Sequence, residues 1–406
     1  MNVTQLCATF DPEIRLSTPQ RLRGDLSFLS SRPEDPCLLS RMLAPQEGCT
    51  LTGFPLGFHR LAYQVDQRTL HAIMLGGFVR PFTAGRGLVN GQTSRQLCLS
   101  VPQPVESLDG KEGRPYQDAY CLLQNRNDLL PWSGDVVVFG PERRRLASLL
   151  GGKTWERGER EREDALLVVL VQRKPGKWDE VLPWEVGAFP VWKHTLVVLA
   201  CESALETESW KEHVDAILST FTHKPDNQLL ADLIRGKRCP SGCLPYAMPR
   251  QIPAGWSVRR GCLVPVDRWG VVRIPPFFGY RARKEHAFCF GHGLTYTAFA
   301  FHDLHVEKTS LSFQVGNIGK RAASAPVEIY VQHLESRVPQ PAAVLRDFCR
   351  VPLEPGESRT VTIPLDDRLV SVWDDESWAF VRGRGSCLVQ VGTSSESISL
   401  CAELTL

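Results

Sequence analysis

The sequence lacks several features that would assign a function class at once. No apolar run approaches the roughly 18 residues of a membrane-spanning helix. No charge sign prevails, because 47 Lys and Arg stand against 45 Asp and Glu, for a net charge of +2. This balance gives no electrostatic basis for binding nucleic acid or an anionic membrane. Residues 1–15 show no basic stretch followed by an apolar one, so we predict no signal peptide and a cytoplasmic protein.

Known metal, cofactor and nucleophile motifs are also missing. The 13 cysteines are odd in number, and Cys239 and Cys243 have no second pair at zinc-finger spacing. His302 and His305 lie on an expected β segment and are interpreted as surface residues. The chain has no P-loop, no G-x-G-x-x-G after a strand and no G-x-S-x-G turn. We therefore predict no metal, no cofactor and mainly free thiols.

Residues 300–406 predict an all-β domain. Apolar and polar residues alternate there in short stretches separated by turn signals, which is typical of a β-sandwich. The stretches are Leu311–Val315, Val327–Val331, Thr360–Leu365, the polar turn bracketed by Trp373 and Trp378, and Ser386–Val391.

Residues 116–299 alternate strand and helix patterns. Continuous apolar runs of strand length predict strands that are buried on both faces, with helices between them. These runs are Asp135–Pro141, Leu166–Val171 and Thr195–Ala200. The spacing of Val214, Ile217, Leu218 and Phe221 predicts a helix over Trp210–Phe221, and Leu229–Ile234 predicts a second short helix.

The segment Phe288–Phe299 reads F-C-F-G-H-G-L-T-Y-T-A-F, and its aromatic residues alternate with glycines and hydroxyl residues in a β-type pattern. It closely resembles a signature of glycoside hydrolase family 3, the β-glucosidase and β-xylosidase group. In that family a P-F-G-x-G-L-S-Y-T-x-F run joins an α/β sandwich domain to a C-terminal fibronectin-III-like domain. Here Cys289 replaces the proline and Thr295 replaces the serine.

Other stretches follow in the order that the family shows. They include Leu122–Asn125, Val138–Pro141, Leu230–Gly236, Pro240–Pro245 and Phe278–Arg281 before the signature, and W-D-x-E from Trp373 after it. The resemblance implies a three-layer α/β sandwich domain at residues 116–299 and a fibronectin-III-like β-sandwich at 300–406.

Residues 1–115 show no such resemblance. Leu51–Val65 and Thr69–Phe82 predict a β-hairpin, and the Pro/Gly-rich stretch Ser100–Arg114 predicts a linker. We expect a mostly β N-terminal segment. It, or a second copy of the chain in a homodimer, would cover the sandwich face on which a barrel packs in the family.

The resemblance also identifies chemistry that the chain lacks. Retaining glycosidases use two carboxyl groups about 5–5.5 Å apart. In this family the nucleophile is an aspartate in an S-D-W-type motif of an N-terminal (β/α)8 barrel. Such a barrel needs about 250 residues, and residues 1–115 contain no Ser-Asp or Thr-Asp pair. We therefore predict that the barrel and its nucleophile are absent.

The family's acid/base motif, E-x-x-D-R, is also not found where the resemblance would place it. Asp179 and Glu180 are the nearest carboxyl groups, with Glu185 just beyond. One of them is a candidate general acid, and the alternative is that they cap a turn or face solvent. His292 is a candidate donor or acid, with a packing role at the junction as the alternative.

Aromatic residues surround these carboxyl groups in the sequence. The candidate ligand-binding residues are Trp178, Trp184, Glu185, Phe277, Phe278 and Tyr280. Such residues line pockets for sugars and apolar molecules, and they also fill cores. The predicted site lies between the N-terminal segment and the sandwich domain.

Three functions remain open from the sequence. The first is binding of a small hydrophobic molecule with a non-hydrolytic cyclisation or isomerisation in specialised metabolism, achieved by positioning. The second is a non-catalytic carbohydrate-binding pseudoenzyme. The third is a β-glucosidase-like hydrolase that needs a partner chain.

Overall fold

The computed structural model describes residues 119–156, 164–172, 192–201, 207–250 and 279–282, and residues 286–406 with short breaks at 308, 337–339, 366, 375 and 378. Ala8 and seven short strands outside these ranges are described as well.

Four of these strands lie in the N-terminal segment: β1 (Arg21–Arg23), β2 (Thr50–Thr52), β3 (Tyr63–Gln64) and β4 (Gly87–Leu88). Strands β1, β2 and β4 form a parallel three-stranded sheet in that order. These strands agree with the expected β structure, and the mostly β character of the whole segment stays a prediction. The predicted hairpin lies outside the described residues, except for the pieces in β2 and β3.

A six-stranded sheet forms the centre of the molecule. Its strands are β5 (Cys121–Asn125), β6 (Val136–Phe139), β7 (Lys153–Thr154), β8 (Leu166–Gln172), β9 (His194–Ala200) and β10 (Ala216–Ser219). The order across the sheet is β5-β10-β9-β8-β6-β7. All neighbours are parallel except β5, which runs antiparallel to β10.

The central strands are buried on both faces, as their apolar runs predict. Residues 166–171 of β8 and residues 195–200 of β9 are all buried. A strand that is covered on both faces must be apolar at successive positions, which is why these runs show no alternation.

Two helices of eight residues pack on this sheet. Helix α1 (Arg143–Leu150) buries Leu146, Ala147 and Leu150, and it ends at Gly151, whose φ is +65°. Helix α2 (Asn227–Ile234) begins after Asp226, whose carboxylate accepts hydrogen bonds from the Gln228 and Leu229 backbone N–H groups at 2.8 and 3.2 Å. Helix α2 confirms the prediction for Leu229–Ile234.

The predicted helix over Trp210–Phe221 is wrong. A single 3-10 turn spans Lys211–His213, and Ala216–Ser219 forms strand β10, which is fully buried. Because both faces of β10 are covered, apolar residues fall by chance at helical spacings as well as at every other position.

Short two-stranded pairs involve the chain between α2 and the C-terminal sandwich, and one of them includes β3 of the N-terminal segment. They are β11 (Met248–Pro249) with β15 (His286–Phe288), β12 (Trp256–Arg259) with β13 (Cys262–Pro265), and β14 (Val272–Arg273) with β3.

The C-terminal part is an antiparallel β-sandwich. Its strands are β16 (Phe299–Val306), β17 (Ser310–Asn317), β18 (Ala323–His333), β19 (Val344–Leu353), β20 (Ser358–Pro364), β21 (Ser371–Asp374), β22 (Ala379–Arg382), β23 (Ser386–Gly392) and β24 (Ile398–Thr405). One sheet has the order β16-β17-β20 and the other β19-β18-β23-β24. The short helix α3 (Asp367–Val370) precedes the hairpin of β21 and β22. The core between the sheets includes Phe313, Ile329 and Val389.

Ala8 joins the N-terminal segment to the central sheet. It is fully buried in the same apolar core as β8 and β9, and its carbonyl oxygen accepts a hydrogen bond from the Cys243 N–H at 2.8 Å. Among the described residues, no helix has the length and apolar character needed to cross a bilayer.

Candidate functional site

The topology of the central sheet indicates where a ligand site would form. The chain leaves β6 toward β7 at one edge of the sheet, but it leaves β8 in the opposite direction, toward β9. Open parallel sheets bind ligands outside the carboxyl ends of two such neighbouring strands, where the connections diverge. The crevice outside the carboxyl ends of β6 and β8 is therefore the candidate site.

Gly140 follows β6 at this crevice and brings the two strand ends close together. Its φ is +108°, and a Cβ at this position would collide with the carbonyl oxygen of Leu170 in β8. Glu142 has a positive φ of 60°, after which helix α1 begins with Arg143. Three consecutive arginines, Arg143–Arg145, stand at the start of this helix, where the positive end of the helix dipole disfavours cations.

Strand β8 ends at Gln172, and the chain continues into residues 173–191. The Gln172 amide donates a hydrogen bond to the carbonyl oxygen of His223, which ties the end of β8 to the segment after β10. Five candidate residues belong to the stretch that leaves this strand end, and they lie outside the described residues: Trp178, Asp179, Glu180, Trp184 and Glu185. Phe277 and Phe278 also lie outside them.

Trp192 ends the same stretch and belongs to the core. It is 7% exposed, and its ring meets Trp155 edge-on with centroids 6.2 Å apart. Trp155 in turn meets Phe139 of β6 edge-on at 5.4 Å. These contacts make Trp192 a core-packing residue.

The carboxyl end of β10 carries features that the sequence did not indicate. Phe221 is fully buried with a φ of +52°, a backbone conformation that bulky residues rarely adopt. The Ser219 hydroxyl and the Asn227 side-chain carbonyl oxygen are buried and have no hydrogen-bond partner among the described residues. Positive φ at a non-glycine residue and unsatisfied buried polar atoms have no sequence signature, because both arise from tertiary packing.

His292 lies within the junction between the two folds. Its Nε2 donates a hydrogen bond to the Leu123 carbonyl oxygen at 2.8 Å, and its ring stacks on Phe288 with centroids 5.5 Å apart. Burial lowers the pKa of His292, so the ring is neutral at pH 7. Its backbone carbonyl accepts hydrogen bonds from the Leu244 N–H at 2.8 Å and from the Cys121 thiol at 3.2 Å. These contacts give His292 a structural position, and its catalytic role stays a prediction.

Tyr280 is held by the C-terminal sandwich. It is 7% exposed, and its hydroxyl accepts a hydrogen bond from the Leu345 N–H of β19 at 3.0 Å. Its ring stacks on Phe290 with centroids 4.6 Å apart, and the Arg281 guanidinium also lies 4.6 Å from its centroid. The other ligand-binding candidates are not described beside it, so its ligand contact also stays a prediction.

The described residues show no cluster of three or more His, Cys, Asp or Glu side chains that would hold a metal ion. Cys121, Cys243 and Cys289 are buried thiols, and burial raises the pKa of each; that of Cys243 rises to about 11. Thiols in such surroundings are protonated and unreactive at neutral pH.

Comparison with known proteins identifies the C-terminal sandwich. The family model of the fibronectin type III-like domain matches residues 325–395.

Two curated relatives extend the similarity along the chain. The probable beta-glucosidase K of Emericella nidulans is 32% identical over 182 residues, which are 42% of this chain and 21% of the relative. The thermostable beta-glucosidase B of Acetivibrio thermocellus is 31% identical over 223 residues, which are 52% of this chain and 29% of the relative. The chain thus spans less than a third of the length of these relatives.

The chain resembles the C-terminal half of glycoside hydrolase family 3 β-glucosidases. The crystal structure of a family 3 β-glucosidase from Bifidobacterium adolescentis superposes with a TM-score of 0.74 and 17% identity, covering 100% of this chain and 87% of that one. A β-glucosidase from Streptomyces venezuelae in complex with D-glucose gives a TM-score of 0.78 at 16% identity, with 100% and 91% coverage. At these identities the structural likeness concerns the fold, while the curated relatives carry the likeness in sequence.

Proposed function

We propose that this chain binds a glucoside or a closely related sugar derivative at the crevice outside β6 and β8. The observation that carries the proposal is the similarity, at 31–32% identity, to proteins named as β-glucosidases. The diverging connections at this crevice support the location. The complex of D-glucose with the Streptomyces venezuelae β-glucosidase, which shares the fold, supports the ligand class.

In this proposal Trp178, Trp184, Phe277 and Phe278 offer flat apolar faces to the sugar ring or its aglycone. The polar groups are Asp179, Glu180 and Glu185, which accept hydrogen bonds from sugar hydroxyls. A few polar groups in a mainly apolar cleft fix the orientation of a small ligand.

The proposal separates binding from hydrolysis. Retaining hydrolysis needs a nucleophilic carboxylate about 5–5.5 Å from the acid/base carboxyl group. Asp179 or Glu180 would serve as the acid, and we expect the nucleophile to come from outside this chain. The chain alone then binds glucosides without hydrolysing them, and a hydrolytic assembly with a partner chain is the alternative.

The first hypothesis from the sequence named cyclisation or isomerisation of a small hydrophobic molecule. None of the relatives reported above is named for such a reaction. We therefore propose a small-molecule ligand and a cytoplasmic location, but neither cyclisation nor isomerisation.

Isothermal titration calorimetry of the full chain with D-glucose and with methyl β-D-glucoside tests the proposal. We expect saturable binding, and Trp184→Ala should weaken it about tenfold, equivalent to ~1.4 kcal/mol. The matched control is Trp132→Ala, because Trp132 precedes β6 and packs on His194, the first residue of β9, at the amino ends of the strands. It should leave the Kd unchanged.

No binding heat with either sugar would refute the proposal. Release of nitrophenol from p-nitrophenyl β-D-glucoside well above background would instead show that the chain hydrolyses glucosides by itself.

A further inference from the structure

Each sheet of the C-terminal sandwich ends in two edge strands, β16 and β20 in one sheet and β19 and β24 in the other. An edge strand presents backbone N–H and C=O groups to which a strand of another chain can add. Soluble proteins protect such edges with prolines, charged side chains or β-bulges. An edge that lacks these features is therefore open to pairing.

Three of these edges carry such protection. Strand β16 has a bulge between His302 and His305, and Asp303 within it has a positive φ of 56°. Strand β19 contains two arginines, an aspartate and a proline, and its register against β18 shifts between Ile329 and Tyr330. Strand β20 contains an arginine and ends in a proline.

Strand β24 lacks this protection. It reads I-S-L-C-A-E-L-T, without proline, lysine or arginine, and Glu403 is its only charged residue. Its ladder with β23 is regular up to the pair of Val391 and Leu400, and the register shifts only next to Gly392. In the described part of the chain no strand pairs with its other edge. Strand β24 is therefore the open edge of the sandwich.

The hydrogen bonds of β24 show which backbone groups point toward this edge. The Leu406 N–H donates to the carbonyl oxygen of Gly385, which lies directly opposite it in the register, at 2.8 Å. In an antiparallel ladder such pairs alternate with pairs whose N–H and C=O groups point away from each other. Ser399, Cys401 and Glu403 fall at the alternate positions, so their backbone groups point away from β23. Their side chains are exposed as well.

The flank of the sandwich beside this edge is partly apolar. Strand β16 of the opposite sheet lies next to β24. Leu400 and Leu404 of β24 and Phe299, Leu304 and Val306 of β16 pack on the sandwich core but are only partly buried. A further strand beside β24 would remove more of this apolar surface from water, which favours association.

The sequence of β24 is complementary to itself in an antiparallel pair. With a two-fold axis at Cys401, Ser399 of one copy lies opposite Glu403 of the other, and Leu400 lies opposite Ala402. No like charges then face each other directly, and the outward N–H and C=O groups of the two Cys401 residues bond to one another. An axis at Glu403 would instead place two carboxylates face to face.

We propose that the free edge of β24 is the contact surface of a homodimer, in which the β24 strands of two copies pair antiparallel around a two-fold axis near Cys401. The four-stranded sheets of the two copies then join into one continuous sheet, and the apolar flank beside β24 becomes more buried. This inference is independent of the proposed ligand, because no residue of the candidate crevice takes part in it.

Sedimentation velocity of the full chain over a range of protein concentrations tests the proposal. We expect a monomer–dimer equilibrium. Cys401→Arg places like charges opposite each other at the axis and should raise the Kd of the dimer about fivefold. The matched control is Thr362→Arg, which adds the same charge at an exposed position of the edge strand β20 and should leave the Kd unchanged. Cys401→Ser keeps the backbone pairing and should also leave it unchanged.

Cross-linking with a short bis-maleimide locates the axis. The unaltered chain should give a covalent dimer, and Cys401→Ser should lose this product while it still sediments as a dimer. A chain that stays monomeric at every concentration, alone or bound to another protein, would overturn the proposal. Equal Kd values for Cys401→Arg and Thr362→Arg would overturn it too, as would a cross-linked dimer that Cys401→Ser does not reduce.

Discussion

At the scale of single residues, His333 shows how the fold changes the chemistry of a side chain. It lies at the end of β18 and is 8% exposed, and within the described part of the chain its Nε2 has no hydrogen-bond partner. Burial and the charge of Arg346 lower its pKa from 6.5 to about 4. The folded protein therefore holds a neutral ring at pH values where the unfolded chain binds a proton.

This difference predicts a pH dependence of stability. Between about pH 6.5 and about pH 4 the unfolded chain binds more protons at His333 than the folded protein, so acidification favours unfolding. The contribution of His333 is complete above its unfolded pKa and is lost as the pH falls through this window. We expect the loss to be on the order of 1–2 kcal/mol after solvent screening.

The measurement is the free energy of unfolding in urea at about pH 7 and about pH 5. His333→Phe keeps a ring but cannot titrate, and its stability should fall less over this interval than that of the unaltered chain. Equal losses in the two proteins would contradict the assignment, whatever the absolute stability of the variant.

His292 and Tyr280 show what residue types alone do not reveal. The sequence offered each as a ligand contact, with packing as the alternative for His292. In the structure both residues make hydrogen bonds and ring contacts at the junction between the sheet domain and the C-terminal sandwich. Which group a polar side chain meets depends on segments far away in the sequence, such as Leu123 for His292 and Leu345 for Tyr280.

At the scale of elements, helix α2 and strand β10 had equally helical apolar spacings, yet only α2 is a helix. Asp226 precedes α2 and caps it with two hydrogen bonds to backbone N–H groups. Trp210 precedes the 3-10 turn before β10 and provides no side-chain cap. The presence of a capping residue therefore separates the two segments where periodicity did not.

The cap itself predicts a measurable loss. Asp226→Ala should lower the free energy of unfolding by about 1 kcal/mol, because two N–H groups at the start of α2 lose their acceptor. Asp226→Ser retains a side-chain oxygen at this position and should cost only a few tenths of a kcal/mol. Urea unfolding of both variants provides the comparison, and equal losses would show that the carboxylate does not act as a cap.

At the scale of the whole molecule, the N-terminal segment is joined to the rest of the fold at two described points. Ala8 is buried in the central core and bonds to the Cys243 N–H, and β3 pairs in parallel with β14. Removing these elements would expose core residues around Ala8 and leave the edge of β14 unpaired.

Deletion of residues 1–110 should therefore give aggregated or poorly soluble protein. Size-exclusion chromatography and thermal unfolding of the truncated chain check this expectation, with the full chain as control. A soluble, monomeric truncation with an unchanged Tm would show that the segment does not cover the fold.

The sequence by itself determined the two layered architectures of the described part. Continuous apolar runs defined β6, β8 and β9, because strands covered on both faces leave no polar position. Alternation defined β17, β18 and β23, because one face of each strand faces the sandwich core. The motif at Phe288–Phe299 indicated the family resemblance, because its glycines and aromatic residues are those that join the two domains in that family.

Only the tertiary structure decided how distant segments meet. Three features show this: the close contact of Glu328 with Gly291, the hydrogen bond from the Leu345 N–H of β19 to Tyr280, and the positive φ of Phe221. No local sequence pattern predicts any of them. Local propensity acts over a few neighbouring residues, whereas these contacts arise when two folded layers bury a shared surface. The position of the candidate crevice likewise follows from strand order, which exists only once the sheet has formed.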